Sequence, residues 1–181
     1  MDKLQTILAN YKTLCDYCDG IWQRVRETYP REIACRKGCG TCCELQSVSR
    51  LEAYIITAYI NGIDDKKPLT GKGKRKRSGH ICPFLRDKAC VIYEVRPIIC
   101  RTHGLILRST DFPGAHHAGS CPYNFPSLHP RDIAPELTID IDRVTKNLTN
   151  LNMAFCIINN IDAKDELKSR VPLKELALLF G

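Results

Sequence analysis

No stretch of this sequence is apolar for long enough to cross a bilayer. The longest such run, AYIITAYI, falls far short of the roughly 20 residues that a membrane helix needs, so no membrane role is expected. The opening MDKLQTILANYKTL lacks a basic end followed by an apolar run, which argues against an export signal. The expected compartment is therefore the reducing cytoplasm, where cysteine clusters bind metal or do redox work rather than pair. Internal repeats are missing too, and so is the strand–helix alternation of an α/β fold.

Acidic residues are absent from one segment. Between Lys66 and Arg77, KKPLTGKGKRKR carries seven bases and no acid, as many charges as the net +7 of the whole chain. Elsewhere the charges balance. The segment is broken by Pro and Gly and has no aromatic residue on which a base would stack. It reads as a solvated basic loop over 64–80, with nucleic acid as a weaker alternative partner through 66–77.

What the sequence has is sulfur. Eleven of 181 residues are cysteine, an odd number that cannot pair completely. With 44% hydrophobic residues a chain of this length buries enough surface to fold without disulfide staples. Four cysteines fall within CRKGCGTCC, residues 35–43.

The remaining pattern is mostly helical. Leu4, Ile7, Leu8, Tyr11, Leu14, Cys15, Cys18, Ile21, Trp22 and Val25 recur at three- and four-residue steps, predicting a helix over 3–28 closed by Pro30. Cys15 and Cys18 lie on its apolar face and are assigned to the core despite their C-x-x-C spacing. A second helix is expected from Ser49, with Ser49 and Glu52 as a capping box, a buried stripe of Leu51, Tyr54, Ile55, Ala58 and Tyr59, and Gly62 as a left-handed stop. ICPFL and CVIY around RDKA read as a hairpin. Ile141, Val144, Leu148, Leu151, Phe155 and Ile158 form the seam of a long helix packed lengthwise on another, with Cys156 beside it as filler. Pro172 suits the first turn of a last short helix. The expected fold is mainly α: one compact helical domain over 1–181, with a small β-hairpin and a cysteine-rich metal-binding loop region. Its core at about 35–125 is framed by the helix at 3–28 and by helices within 138–180.

Three cysteines thus belong to helices. The other eight, Cys35, Cys39, Cys42, Cys43, Cys82, Cys90, Cys100 and Cys121, are expected in irregular or hairpin segments, where thiolates converge without breaking a helix. Each tetrahedral zinc or four-iron cluster takes up to four thiolates, so eight make two full sites, or one full site and an open one. Adjacent side chains usually point apart, so Cys42 and Cys43 are expected to serve two neighbouring sites, or one to ligate while the other packs. Arg36, Lys37, Arg96 and Arg101 stand beside the cysteines in sequence, as cations that would offset the charge of a thiolate-ligated metal. The spacing Cys35-x3-Cys39-x2-Cys42 equals that of radical S-adenosylmethionine enzymes, but the barrel they use is not expected here. His103 is a reserve ligand, while His80, His116 and His117 read as loop histidines. One nucleophile with one base would need no such convergence of thiols, which argues against a cysteine hydrolase.

CRKGCGTCC, then CPFL, then CVIYEVRPIICR resembles the YkgJ-type cysteine-cluster family, zinc- or iron-chelating proteins usually described by a CxxCxxCC signature. The likeness covers about 35–125 and departs from the signature in its C-x3-C first step. It implies metal chelation in a mostly helical body and implicates Cys35, Cys39, Cys42, Cys43, Cys82, Cys90 and Cys100, with Cys121 of SCPYN added. Flagellin lysine methylases are similar in carrying such a cluster with iron–sulfur chemistry, and by that analogy a redox or S-adenosylmethionine-linked role is expected. An iron–sulfur cluster, of the four-iron type, is favoured as cofactor; the alternative is structural zinc in a binding module. An unidentified protein or small molecule is the expected partner.

Overall fold

A computed structural model describes residues 2–36, 38–62, 82–110, 121–162 and 170–178. The basic loop at 64–80, with the nucleic-acid reading that rests on it, lies outside the described residues. So do Lys37, His80, Ile81, His116 and His117.

The described residues are mainly helical, with five α-helices and three two-stranded sheets of two-residue strands. They divide into two compact units: residues 1–36 with 98–154, and residues 37–97 with 155–181.

In the first unit α1 runs Lys3–Thr28, and the Asp2 carboxylate accepts from the Leu4 N–H at its start. Its buried face is Ile7, Tyr11, Leu14, Cys15, Cys18, Ile21, Trp22 and Val25, the stripe that the period of 3.6 implies. Cys18 and Val25 are fully buried. The short helix α2, Ile98–Thr102, is tied to α1 twice: Trp22 Nε1 donates to the Arg101 carbonyl at 2.7 Å, and the buried Arg101 guanidinium pairs with Asp19. Parallel strands β1 (Leu107–Arg108) and β2 (Ile139–Asp140) lead to the start of α3 (Ile141–Ile158). Asp140 Oδ1 caps the Arg143 N–H at 3.0 Å, and the Asp142 carboxylate takes the Ser109 hydroxyl at 2.8 Å and the Thr110 N–H at 2.6 Å. The anticipated seam along α3 is buried at Val144 and Phe155 but only half-buried at Ile141, Leu148, Leu151 and Ile158. A cavity of about 420 Å³ opens along α1 and the first unit's part of α3, lined by Asn10, Tyr17, Arg143 and Asn147 among others. The polar Asn and Arg side chains between the seam positions keep this face from closing.

In the second unit α4, Arg50–Asn61, starts with the expected capping box: the Ser49 hydroxyl accepts from the Glu52 N–H at 3.2 Å and the Glu52 carboxylate accepts from the Ser49 N–H at 3.1 Å. Its buried stripe differs from the expected one. Leu51, Glu52, Ala53, Ile56 and Ile60 face inward, while Tyr54 and Ala58 are exposed and Ile55 and Tyr59 half-buried. Glu52 is buried with its carboxylate held by Ser49 (Oγ at 2.9 Å, N at 3.1 Å), so the inward face lies one position round from the expected stripe. Tyr54 instead lays its ring against Phe155, centroids 5.3 Å apart. Gly62 ends the helix with φ −86°, an ordinary right-handed conformation rather than the left-handed stop. Cys156 is fully buried, as filler should be.

The hairpin is β3 (Leu85–Arg86) with β4 (Ala89–Cys90), Leu85 opposite Cys90. Its turn is only Asp87–Lys88, both with positive φ (44° and 62°), the conformation of a tight two-residue reversal. β5 (Ser47–Val48) pairs antiparallel with β6 (Val171–Pro172), so Pro172 closes a strand and the last helix, α5, spans Leu173–Leu178. Val48, Ile56, Phe84, Ile92 and Leu173 form this unit's core, with Cys82 and Cys90 packed against its edge.

Candidate metal centre

Five of the eight candidate cysteines belong to the second unit and three to the first. In the second unit, CGTCC folds as a chain of tight turns. Cys43 N–H donates to the Gly40 carbonyl at 3.1 Å, and Glu44 N–H to the Cys42 carbonyl at 2.9 Å, a three-residue turn centred on Cys43. Gly40 lies so close to the hairpin that a Cβ on it would stand 2.9 Å from Leu85 Cδ2. The next link is Cys82 N–H to the Cys43 carbonyl at 2.7 Å, and hydrogen-bonded pairing then sets Cys90 opposite Leu85. Loop and hairpin are thereby laced together by backbone.

The sulfurs follow. Cys43 is hydrogen-bonded to Cys42 through its side chain and feels the charges of Cys42, Cys82 and Cys90, while Cys82 feels Cys90. Adjacent side chains usually diverge, but here the Cys42 and Cys43 side chains are hydrogen-bonded to each other. That bond to Cys42, then burial, then neighbouring thiolate charge push the Cys43 thiol far above its ordinary range.

Cys82 and Cys90 are prepared differently. Burial pushes the Cys82 thiol up, while the backbone N–H groups of Phe84 and Leu85 favour its thiolate. Burial also raises Cys90, against the backbone N–H of Ile92 and the nearby Arg96 charge. Backbone amides aimed at a sulfur two residues earlier stabilise an anionic ligand, and both CPF and CVI are built this way. Arg96, held over the Tyr93 ring at 4.1 Å, is the cation that the sequence placed near the cluster. Arg101 is not available for that role, because its charge is spent on Asp19.

Cys39 is exposed and shares a 3.7 Å hydrogen bond with the Thr41 hydroxyl. In the first unit, Cys35 is half-buried and accepts from Asn124 Nδ2 at 3.4 Å. Cys121 is buried, and its carbonyl accepts from the Asn124 N–H at 2.9 Å. Cys100 was expected in an irregular segment but stands in α2, exposed on that helix. His103 is exposed just past the same helix, its N–H bonded to the Ile99 carbonyl at 3.1 Å. The expectations missed Asn124. A lone Asn in a Pro-containing loop has no periodicity or spacing to mark it.

The thiols are neighbours rather than a finished coordination shell. Among the described residues no group of three or more His, Cys, Asp and Glu side chains is drawn together to hold an ion as it stands. The donor chemistry nevertheless fits a thiophilic metal. Cys42, Cys43, Cys82 and Cys90 are four sulfurs whose anionic forms repel one another, and a bound cation relieves that repulsion.

Clustered cysteines on a loop and a hairpin, in a mainly helical chain, have the donor chemistry of a metal-chelating cysteine cluster. Residues 34–122 match the family model CxxCxxCC, described as a putative zinc- or iron-chelating domain, and the chain is similar to that family over this segment. No curated protein and no solved structure matches the chain.

Proposed function

We propose that the second unit holds one tetrahedral metal ion, zinc foremost, through Cys42, Cys43, Cys82 and Cys90, and that this ion staples the CGTCC loop to the hairpin. The hydrogen-bonded vicinal pair carries the proposal. In a tetrahedral centre with metal–sulfur bonds of about 2.3 Å, two sulfurs stand about 3.8 Å apart. That is the span of a thiol hydrogen bond, so Cys42 and Cys43 need little movement to share an ion. In a four-iron cube each thiolate ends on its own corner iron, and the sulfurs stand farther apart. A closed four-thiolate centre supplies folding free energy and no reactive position. The protein then acts as a metal-stapled binding module.

A second reading keeps the iron–sulfur cluster favoured from the sequence, with a redox or S-adenosylmethionine-linked role. It is supported by the thiols that one ion leaves over: Cys39 in the same loop, and Cys35, Cys100 and Cys121 in the first unit. These four would ligate a further centre, with Cys35 best prepared by its bond from Asn124. Protein purified without oxygen and assayed for metal, acid-labile sulfide and visible absorption separates the readings. Colourless protein with stoichiometric zinc and no sulfide is the expected result. Brown protein yielding sulfide makes the cluster correct. Metal-free protein that binds neither metal sinks both.

A further inference from the structure

Asn124 is 4% exposed and spends its whole carboxamide on three neighbours within the first unit. Oδ1 accepts from the Ala34 N–H at 2.9 Å, and Nδ2 donates to the Gly104 carbonyl at 2.8 Å and to Cys35 Sγ at 3.4 Å. Two amide protons meet two acceptors, and the amide oxygen meets a donor. Turning the amide over would set oxygen against two acceptors, so its orientation follows from its partners. Because Ala34 and Cys35 are consecutive, one side chain grips both the backbone and the sulfur of that segment.

Gly104 leaves room for the arrangement. It has φ +95°, and a Cβ there would stand 3.0 Å from Asn124 Nδ2, 3.1 Å from Trp22 Cζ2 and 3.2 Å from Cys35 Sγ. Any side chain at 104 would push the amide or the sulfur away while also straining the backbone. The sulfur thus rests on a bare backbone, with one N–H aimed at it.

We infer that Asn124, two residues beyond the segment matched by the family model, is a positioning residue for Cys35 as a metal ligand. It aims the sulfur, and its N–H withdraws charge from the thiolate once a metal is bound. The inference rests on the second reading above, in which Cys35 ligates a further centre, and not on the ion at Cys42, Cys43, Cys82 and Cys90. Hydrogen bonds to ligating sulfurs set both metal affinity and, for iron centres, reduction potential. A thiolate is a stronger acceptor than a thiol, so metal loading tightens this bond.

The test uses the full-length protein, nitrogen-15 labelled and loaded with cadmium-113. Two signals are read: correlation of cadmium with the Cys35 β-protons, and the shift of the Asn124 side-chain amide protons on loading. Both are expected, with one Asn124 proton moving downfield. A cadmium correlation at Cys35 with unmoved Asn124 protons overturns the role of Asn124 and leaves the ligand reading standing. Cadmium that correlates with other cysteines but not with Cys35 overturns both. A double-mutant cycle then separates positioning from mere stability, with zinc affinity read by competition against a chromogenic chelator. Asn124→Asp keeps the acceptor for Ala34 and loses the donors to both Cys35 and the Gly104 carbonyl. It is expected to weaken zinc about tenfold, and to cost nothing further in a Cys35→Ser background. An equal loss in both backgrounds means that Asn124 acts on the fold alone, and the inference fails. Should Asn124→Asp not fold, the cadmium experiment on the unaltered protein decides.

Discussion

Two sets of cysteines in this protein reverse the roles that spacing alone would assign. Cys15 and Cys18 of the first unit stand in the C-x-x-C arrangement common among metal ligands, yet both are buried on the apolar face of α1. Cys42 and Cys43 of the second unit are adjacent, a spacing that argues against a shared metal. Their sulfurs nevertheless meet each other, with Cys82 and Cys90 in electrostatic range. The difference lies in the backbone. A helix spends its N–H groups on its own ladder and turns its sulfurs toward whatever face is apolar. A turn leaves N–H groups over, and those of Phe84, Leu85 and Ile92 are directed at Cys82 and Cys90. The proposed ligand sulfurs Cys82 and Cys90 are met by backbone donors, whereas Cys15 and Cys18 are buried on an apolar helix face.

The sharpest way to break this comparison is to delete one sulfur from each set. Cys43→Ala or Cys82→Ala is expected to abolish metal binding at the second unit and to lower Tm by roughly 10 °C or more, since ligation free energy is folding free energy. Metal analysis and a melting curve read both effects. Full metal content in Cys43→Ala would show that the four-thiol assignment is wrong.

A smaller effect is expected from pH. Cys43, Cys82 and Cys90 all have raised thiol pKa values in the metal-free fold. Their protonated forms are favoured by folding, so their contribution is complete below a thiol's ordinary value of 9.0 and is lost as pH rises through it and beyond. Metal-free protein should therefore lose Tm between about pH 8 and 10. Metal-loaded protein, its thiols already deprotonated, should lose less over that range and should release metal on acidification instead. Melting curves of both forms across pH check this; a metal-free Tm that does not fall would mean that the thiols are solvated as well in the fold as outside it.

Next come the core sulfurs. Cys15→Ala, Cys18→Ala and Cys156→Ala are each expected to cost about 1–2 kcal/mol in denaturant unfolding and to leave metal stoichiometry unchanged. Metal lost from the Cys15 or Cys18 variant would erase the distinction between the two sets.

The smallest effect concerns the loop's seat on the hairpin. Gly40→Ala presses on the flexible end of Leu85, so about 1 kcal/mol or less is expected, and Leu85→Ala in the same chain should remove that increment. If Gly40→Ala is neutral in both backgrounds, the loop is not seated on Leu85.

The amino-acid sequence by itself determined α1, expected over about 3–28 and found at Lys3–Thr28, because its apolar stripe from Leu4 to Val25 recurs at helical spacing and Pro30 follows. It also determined the capping box at Ser49 and Glu52, the hairpin between CPFL and CVIY, and the presence of a thiol-rich chelating segment. These rest on neighbours within a few residues of one another. What only the tertiary structure decided depends on residues far apart in the chain. The hairpin's lacing to the loop brought Cys82 and Cys90 to Cys43, and Arg101 went to Asp19 instead of to the cysteines. Asn124 reaches Cys35 across 89 positions, through a gap that exists because residue 104 has no side chain. Spacing counts bonds along the chain, whereas a ligand set is a meeting in space, and here loop turns, a two-residue reversal and one bare glycine decide who meets.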